Sequence, residues 1–273
     1  MQWSRVKTIL IVLLLAANLA LLGVYAYSRS RDRQVTDYAV SALVDVLGEM
    51  GVTIDKKTVP PDMSRLYVYD VPRDEQLENQ IAQKLIGECR TENPGGGIYQ
   101  YSSDAGRVSF RSAGVLQAVF GVPLSDEEKQ TSAQFLAGTL LQTGLGDAII
   151  REDTPAQLHA VQTLSGLEIF NCSLTALFDD AGNLTSLSGR WVTGQPAVSD
   201  VSQPKSAAFA LIRLTQSRID ALDPIREVTG MQEGYIAVTA APGIMRFVPV
   251  WKVTADGEEI YVNAITGQVE SAG

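Results

Sequence analysis

A single histidine, His159, and two cysteines, Cys89 and Cys172, stand in 273 residues, and that scarcity removes several kinds of chemistry at once. A multi-histidine metal site and a two-histidine mechanism both need residues this chain does not have. No Gly-x-Ser-x-Gly run is present, so a serine hydrolase elbow has no support. Two cysteines are too few for a disulfide framework; one bridge between them and two buried thiols both fit the spacing. Positive charge is scarce as well, with 22 Lys and Arg against 31 Asp and Glu and a net charge of -9. Five of the basic residues and only Asp32 lie in the first 33 positions, so the remaining 17 basic and 30 acidic residues leave about -13. Such a surface repels nucleic acid and anionic lipid headgroups, and a nucleic-acid partner is excluded on that ground.

What the chain does have is one long uncharged apolar run. Ile9 to Tyr27 reads ILIVLLLAANLALLGVYAY. As a helix rising ~1.5 Å per residue it covers ~28 Å, close to the hydrocarbon thickness of a bilayer. Trp3 precedes the run and Tyr25 and Tyr27 close it, where amphipathic aromatics settle at membrane interfaces. A cleaved signal peptide is the competing reading, with Val24-Tyr25-Ala26 as its small-residue site. The length of the run and the bulky Tyr27 after that cut favour an uncleaved transmembrane helix. Arg5 and Lys7 on one side face Arg29, Arg31 and Arg33 on the other, so charge alone leaves the orientation open. Within the run, Ala16, Ala20 and Gly23 form a small-residue stripe, and Asn18 lies on nearly the opposite side. These four are the candidate contacts for partner helices, the stripe by close packing and the Asn18 amide by hydrogen bonding.

Beyond the run, 45% apolar residues and no low-complexity segment predict a folded core. Thr36 or Asp37 caps a helix with Val40, Leu43, Val44 and Leu47 on one face, ended by Gly48 and Gly51. Arg65–Val71 alternates as a strand, and Asp74 opens a second helix with Leu77, Ile81 and Leu85 in a stripe up to Gly87. The ENPGGG stretch reads as a flexible turn before a strand, because no Gly-Lys-Ser/Thr follows it to make a P-loop. Ile98–Phe120 reads as a hairpin with Asp104-Ala105-Gly106 at its tip, and Ser125 with Glu128 caps a helix bearing Phe135, Leu136, Thr139 and Leu140. Leu158–Val192 reads as strands joined at Asp179–Asn183. After Pro204 comes a helix with Ala208, Phe209, Ile212 and Ile219 on one face. Tyr235–Val238, Arg246–Val253 and Glu259–Val262 read as strands, with Asp256-Gly257 between the last two.

The tips at Asp104, Asp180 and Asp256 recur about 76 residues apart, each strand block preceded by a helix, a pattern compatible with tandem related modules. The expected class is therefore α+β: an N-terminal transmembrane helix, then antiparallel sheets with helices packed on one face. Candidate chemistry is thin. His159 begins a strand-like run and reads as a half-buried strand residue. Asp179 and Asp180 could pair as glycosidase carboxylates, but their place before Ala-Gly-Asn makes them turn residues, and the turn lacks the alternating oxygens of a calcium loop. Asn171-Cys172-Ser173 and Asn183-Leu184-Thr185 match the glycosylation sequon. No cofactor, metal site or catalytic residue is expected.

The opening Trp3-Ser4-Arg5, Lys7-Thr8-Ile9 run, leading straight into the apolar stretch, resembles the start of the YycI family of Gram-positive bacteria. Gly51–Pro60 (GVTIDKKTVP) is similar to that family's next segment. Pro249-Val250-Trp251, Tyr261-Val262-Asn263-Ala264 and Thr266-Gly267 are similar to a strand–turn–strand ending shared by YycI, its sister YycH and PepSY-type domains. The likeness covers both ends well and the middle, from Arg73 to Pro204, poorly. It implies a cytoplasmic N-terminus and an exported C-terminal domain. The resulting division is a tail over 1–8, a transmembrane helix over 9–27 and a basic linker over 28–34. A first ectodomain module then covers 35–123, and a second, with the PepSY-like ending, covers 124–273. The resemblance also implies a single-pass, non-enzymatic accessory regulator of the WalK/WalR two-component system, meeting a WalK-like sensor kinase and a YycH-like protein at the membrane. A PepSY-like peptidase inhibitor and an exported cell-wall hydrolase are the alternatives.

Overall fold

The computed structural model describes residues 38–60, 66–124 and 148–271. The apolar run at 9–27 and the helix expected after Ser125 lie outside these residues.

A first helix, α1 (38–49), buries Leu43 and Leu47, with Val40 and Val44 packed beside them, on the face its spacing predicts. Two short elements follow, β1 (Thr53–Ile54) and β2 (Val68–Pro72). Helix α2 (Glu75–Ile86) starts where Asp74 accepts a hydrogen bond from the Leu77 amide at 3.0 Å, and stops at Gly87, whose φ of 72° suits a residue without Cβ. Its Leu77, Ile81 and Leu85 stripe is buried. A meander comes next: β3 (Arg90–Gly95), β4 (Ile98–Ser103), β5 (Gly106–Arg111) and β6 (Val115–Leu124). Then come β7 (Ala148–Asp153), β8 (Gln157–Leu164), β9 (Leu167–Phe178), β10 (Leu184–Arg190) and β11 (Ala197–Asp200). Helix α3 (Ala207–Asp220) precedes β12 (Glu227–Ala241), β13 (Ile244–Ala255), β14 (Glu258–Asn263) and β15 (Val269–Glu270).

The strands form two halves of one hydrogen-bonded network. Antiparallel β7-β8-β9-β10-β6-β5-β4-β3 makes a meander sheet. The C-terminal sheet is built on β12 and β13, with β2, β11, β14 and β15 antiparallel and β1 parallel to β12. Strand β9 belongs to both halves: Ile169 pairs in parallel with Tyr235 of β12, and the rest of the strand pairs with β8 and β10. Two side-chain amides complete this junction. Asn171 donates to Ala237 O at 2.9 Å and accepts from Ala237 N at 2.8 Å, while Gln162 does the same for Val192 at 2.9 and 3.0 Å. Each amide bonds both the N–H and the C=O of one residue as a ladder partner would, so the peptide groups of Ala237 and Val192 are satisfied.

The expected α+β balance with a transmembrane helix is corrected by this architecture. Among the described residues strand takes 51% and helix 20%, so this part of the fold is predominantly β. No helix of the described residues is long and apolar enough to cross a membrane. The surplus of strand comes from stretches such as RTENPG at β3, AVSD at β11 and the first half of β12, which carry no apolar alternation and become strands through their neighbours' pairing. The ENPGGG stretch is thus strand up to Gly95, with the turn confined to Gly96 and Gly97. Helix α3 is also rotated from expectation. Ala207, Ala210, Leu211, Leu214 and Thr215 are buried against the C-terminal sheet, while Ile212 and Ile219 are 41% and 36% exposed. Both faces carry apolar residues, and the one bearing two alanines and two leucines is the one packed on the sheet.

Candidate interaction surfaces

The candidate contacts Ala16, Asn18, Ala20 and Gly23 lie outside the described residues. The other residues singled out in the sequence have local partners. His159, half-buried on β8, places Nδ1 3.3 Å from Thr175 Oγ1 on the neighbouring strand. Asp179 closes the β9–β10 turn, accepting from the Ala181 and Asn183 amides at 2.9 and 2.8 Å and from Asn183 Nδ2 at 2.9 Å. Those bonds, led by the Asn183 side chain, hold its carboxyl below the usual carboxylate range. Asp180 points to solvent, and His159 pairs with Thr175, four residues away from Asp179 along β9, roughly 13 Å of extended chain. The fold does not bring the three together. Among the described residues, no group of three or more His, Cys, Asp or Glu is placed to hold a metal.

Cys89 and Cys172 are both free thiols. Cys172 is fully buried, and burial pushes its thiol up to about 12; burial also raises that of half-buried Cys89. Of the two sequons, Asn171 has both ends of its amide committed to Ala237, so it presents no acceptor nitrogen.

A buried ion pair fixes α2 against the meander. Arg73 Nε and Nη2 each donate to Glu78 at 2.8 Å, a bidentate fork. The same guanidinium donates to Gly97 O at 2.5 Å and Phe110 O at 3.3 Å and lies 4.8 Å from the Tyr99 ring centroid. Glu78 is 2% exposed and also accepts from Thr193 Oγ1 at 3.1 Å. Burial raises the Glu78 pKa against the pull of Arg73. For Arg73, burial works the other way, but its bonds to Glu78 prevail and the guanidinium stays charged.

With α2 pinned in this way, the meander offers two concave surfaces. On the helix side, a groove of about 440 Å³ runs between α2 and β3–β4, lined by Glu75, Gln76, Asn79, Gln80, Thr91, Tyr99 and Tyr101. Burial pushes the Tyr101 hydroxyl to about 12, so it stays protonated. On the outer side, a groove of about 610 Å³ crosses β4, β5 and β6. Register makes its floor. His159, Thr175, Ser188, Gln117, Ser109, Gln100 and Glu92 stand opposite one another in a row across seven strands. The next row toward the hairpin tips holds Leu177, Ser186, Val119, Arg107, Ser102 and Arg90. This face is rich in hydroxyl, amide and guanidinium donors, and its side chains can hydrogen-bond and ion-pair a ligand. Sequence reasoning missed it. The signal was there in the alternation of IYQYSS and GRVSFR, whose polar set falls on one face, but the register aligning seven strands is not local information.

No family model matches the chain, and no curated protein matches it. Among solved structures, an uncharacterized protein from Eubacterium rectale ATCC 33656 is 12% identical with a TM-score of 0.45, covering 76% of this chain and 86% of its own. The C-terminal domain of YpeB from Bacillus megaterium is 14% identical with a TM-score of 0.34, covering 74% of this chain and 97% of its own. These are weak structural neighbours, and superpositions this loose carry no argument about function.

Proposed function

We propose that the chain is a non-catalytic regulator held at the cell membrane with its C-terminal domain outside. In this reading it acts by protein–protein contact on a WalK-like, cell-wall-linked sensor kinase, beside a YycH-like partner. The reading rests on the two terminal resemblances. It is supported by how thoroughly the C-terminal motif is built into the core. Trp251 is buried on β13 and its indole donates to Lys205 O at 3.0 Å. Asn263 accepts from the Ile265 and Thr266 amides at 2.9 and 3.0 Å, and the Gly267 amide returns to Asn263 O at 2.8 Å. Gly267, at a φ of 77°, packs so closely on Phe209 that a Cβ would come within 2.6 Å of the ring. The motif residues thus make a single folded ending, and its geometry explains why these residue types occur together.

The test is in-cell cross-linking of the full chain, followed by a signalling readout. The sensor kinase and the YycH-like protein should be recovered with it, and alanine at His159, Asp179 or Asp180 should leave signalling unchanged at equal abundance. Failure to recover either protein, or a strong signalling defect in a well-folded variant of any of the three, would sink the proposal.

A further inference from the structure

The geometry points to the outer face of the meander sheet as a binding surface for a linear, phosphate-bearing polyanion. Four arginines stand on this face. Arg90 and Arg107 flank Ser102 in one row, Arg111 pairs with Ile98, and Arg190 pairs with Val115 of β6. The ion pairs of the described residues engage Arg73, Arg151, Arg218, Arg246 and Lys252 instead. Against the four, the face carries Glu92 opposite Gln100 and Asp104 at the end of the groove. In a chain of net charge -9, this is a local reversal of sign.

The local sign decides. Five strands from β3 to β10 span about 19 Å, whereas charges are screened over about 8 Å at physiological ionic strength. A ligand over the groove therefore meets the arginines more than the distant acidic surface. The residue type argues for oxyanions, since a guanidinium presents a planar fork of donors that matches phosphate oxygens two at a time. The spacing argues for a polymer. Arg107 and Arg111 are about 13 Å apart along one strand, and Arg90 and Arg107 about 10 Å apart across two strand spacings. One small anion engages one fork, whereas a chain of anions engages several at once. Between the forks lie neutral donors, Gln100, Ser102, Ser109 and Gln117.

The face also lacks what other partners need. None of its outward positions from β3 to β10 is aromatic, so there is no platform for stacking nucleic-acid bases and no aromatic anchor for a protein hot spot. Its most exposed large apolar residue, Val119 at 62%, stands alone between Arg107 and Ser186. This inference does not depend on the regulatory reading above.

Inorganic polyphosphate is the probe, titrated into the full-length chain at several salt concentrations, with poly-glutamate as the acidic-polypeptide competitor. Polyphosphate should bind, and the logarithm of the affinity should fall steeply with that of salt. Arg107→Gln with Arg111→Gln should weaken binding at least roughly tenfold and reduce the salt slope by about two, one per contact removed. Arg226→Gln, just before β12 and beside the β13–β14 turn in the other half of the network, should leave it unchanged. Both arginines of the double variant are exposed, so its melting temperature should match the wild type and any loss is one of binding. No polyphosphate binding, equal binding by the double variant, or poly-glutamate binding as tightly would each overturn the proposal.

Discussion

Removing Arg73 tests whether the buried ion pair holds α2 on the meander. In Arg73→Met, Glu78 keeps only the Thr193 hydroxyl at 3.1 Å and loses a bidentate partner at 2.8 Å on both oxygens. Gly97 O and Phe110 O lose their side-chain donor as well. Leaving one partner of a buried pair uncompensated costs about 3–5 kcal/mol. For a domain of this size that is a fall in Tm of about 6–20 °C. The sign of the pH dependence follows from Glu78, whose folded pKa is already raised by burial. A raised pKa means that the stabilising contribution is fully present below the unfolded value and is lost as pH rises through the folded one. Without Arg73 the folded pKa rises further, so Arg73→Met should be more stable at pH 5 than at pH 7.5. Pairing it with Glu78→Leu removes the stranded charge, and the double variant should recover to within about 1–2 kcal/mol of wild type. Urea denaturation of the four proteins at both pH values closes the cycle. A single variant as mild as the double one, or a single variant whose stability does not change with pH, would refute the assignment.

Two other outcomes follow from the junction between the sheets. Asn171→Ala removes both bonds to Ala237 and should cost about 2–3 kcal/mol by denaturant melt. When the wild-type chain is made in a eukaryotic secretory pathway, the peptide holding Asn171 should carry no glycan by mass spectrometry. Native protein should expose at most Cys89 to a thiol reagent at neutral pH, and slowly, with Cys172 reacting only after unfolding; two fast thiols in the native state would contradict the burial.

The sequence by itself determined the features that depend on a few neighbouring residues. Asp74 caps α2, and the turns form at Asp104-Ala105, Asp179–Asn183 and Asp256-Gly257. In each case the chemistry is local: a short side chain accepts from nearby amides, or a glycine takes a positive φ. The stripes of α1 and α2 were legible for the same reason, each helix having one apolar face. Tertiary structure decided the rest. Polar β3 and β11 are strands because partners pair with them, and α3 buries Leu211 and Leu214 rather than Ile212 and Ile219 because the sheet accepts only one of two apolar faces. The arginine face exists only through register. Arg90 and Arg107 lie 17 positions apart in the chain, and Arg190 lies 83 beyond Arg107, yet cross-strand pairing sets them on one surface. Strand pairing is long-range and a one-residue slip would turn alternate side chains to the other face, so no window of sequence contains that arrangement.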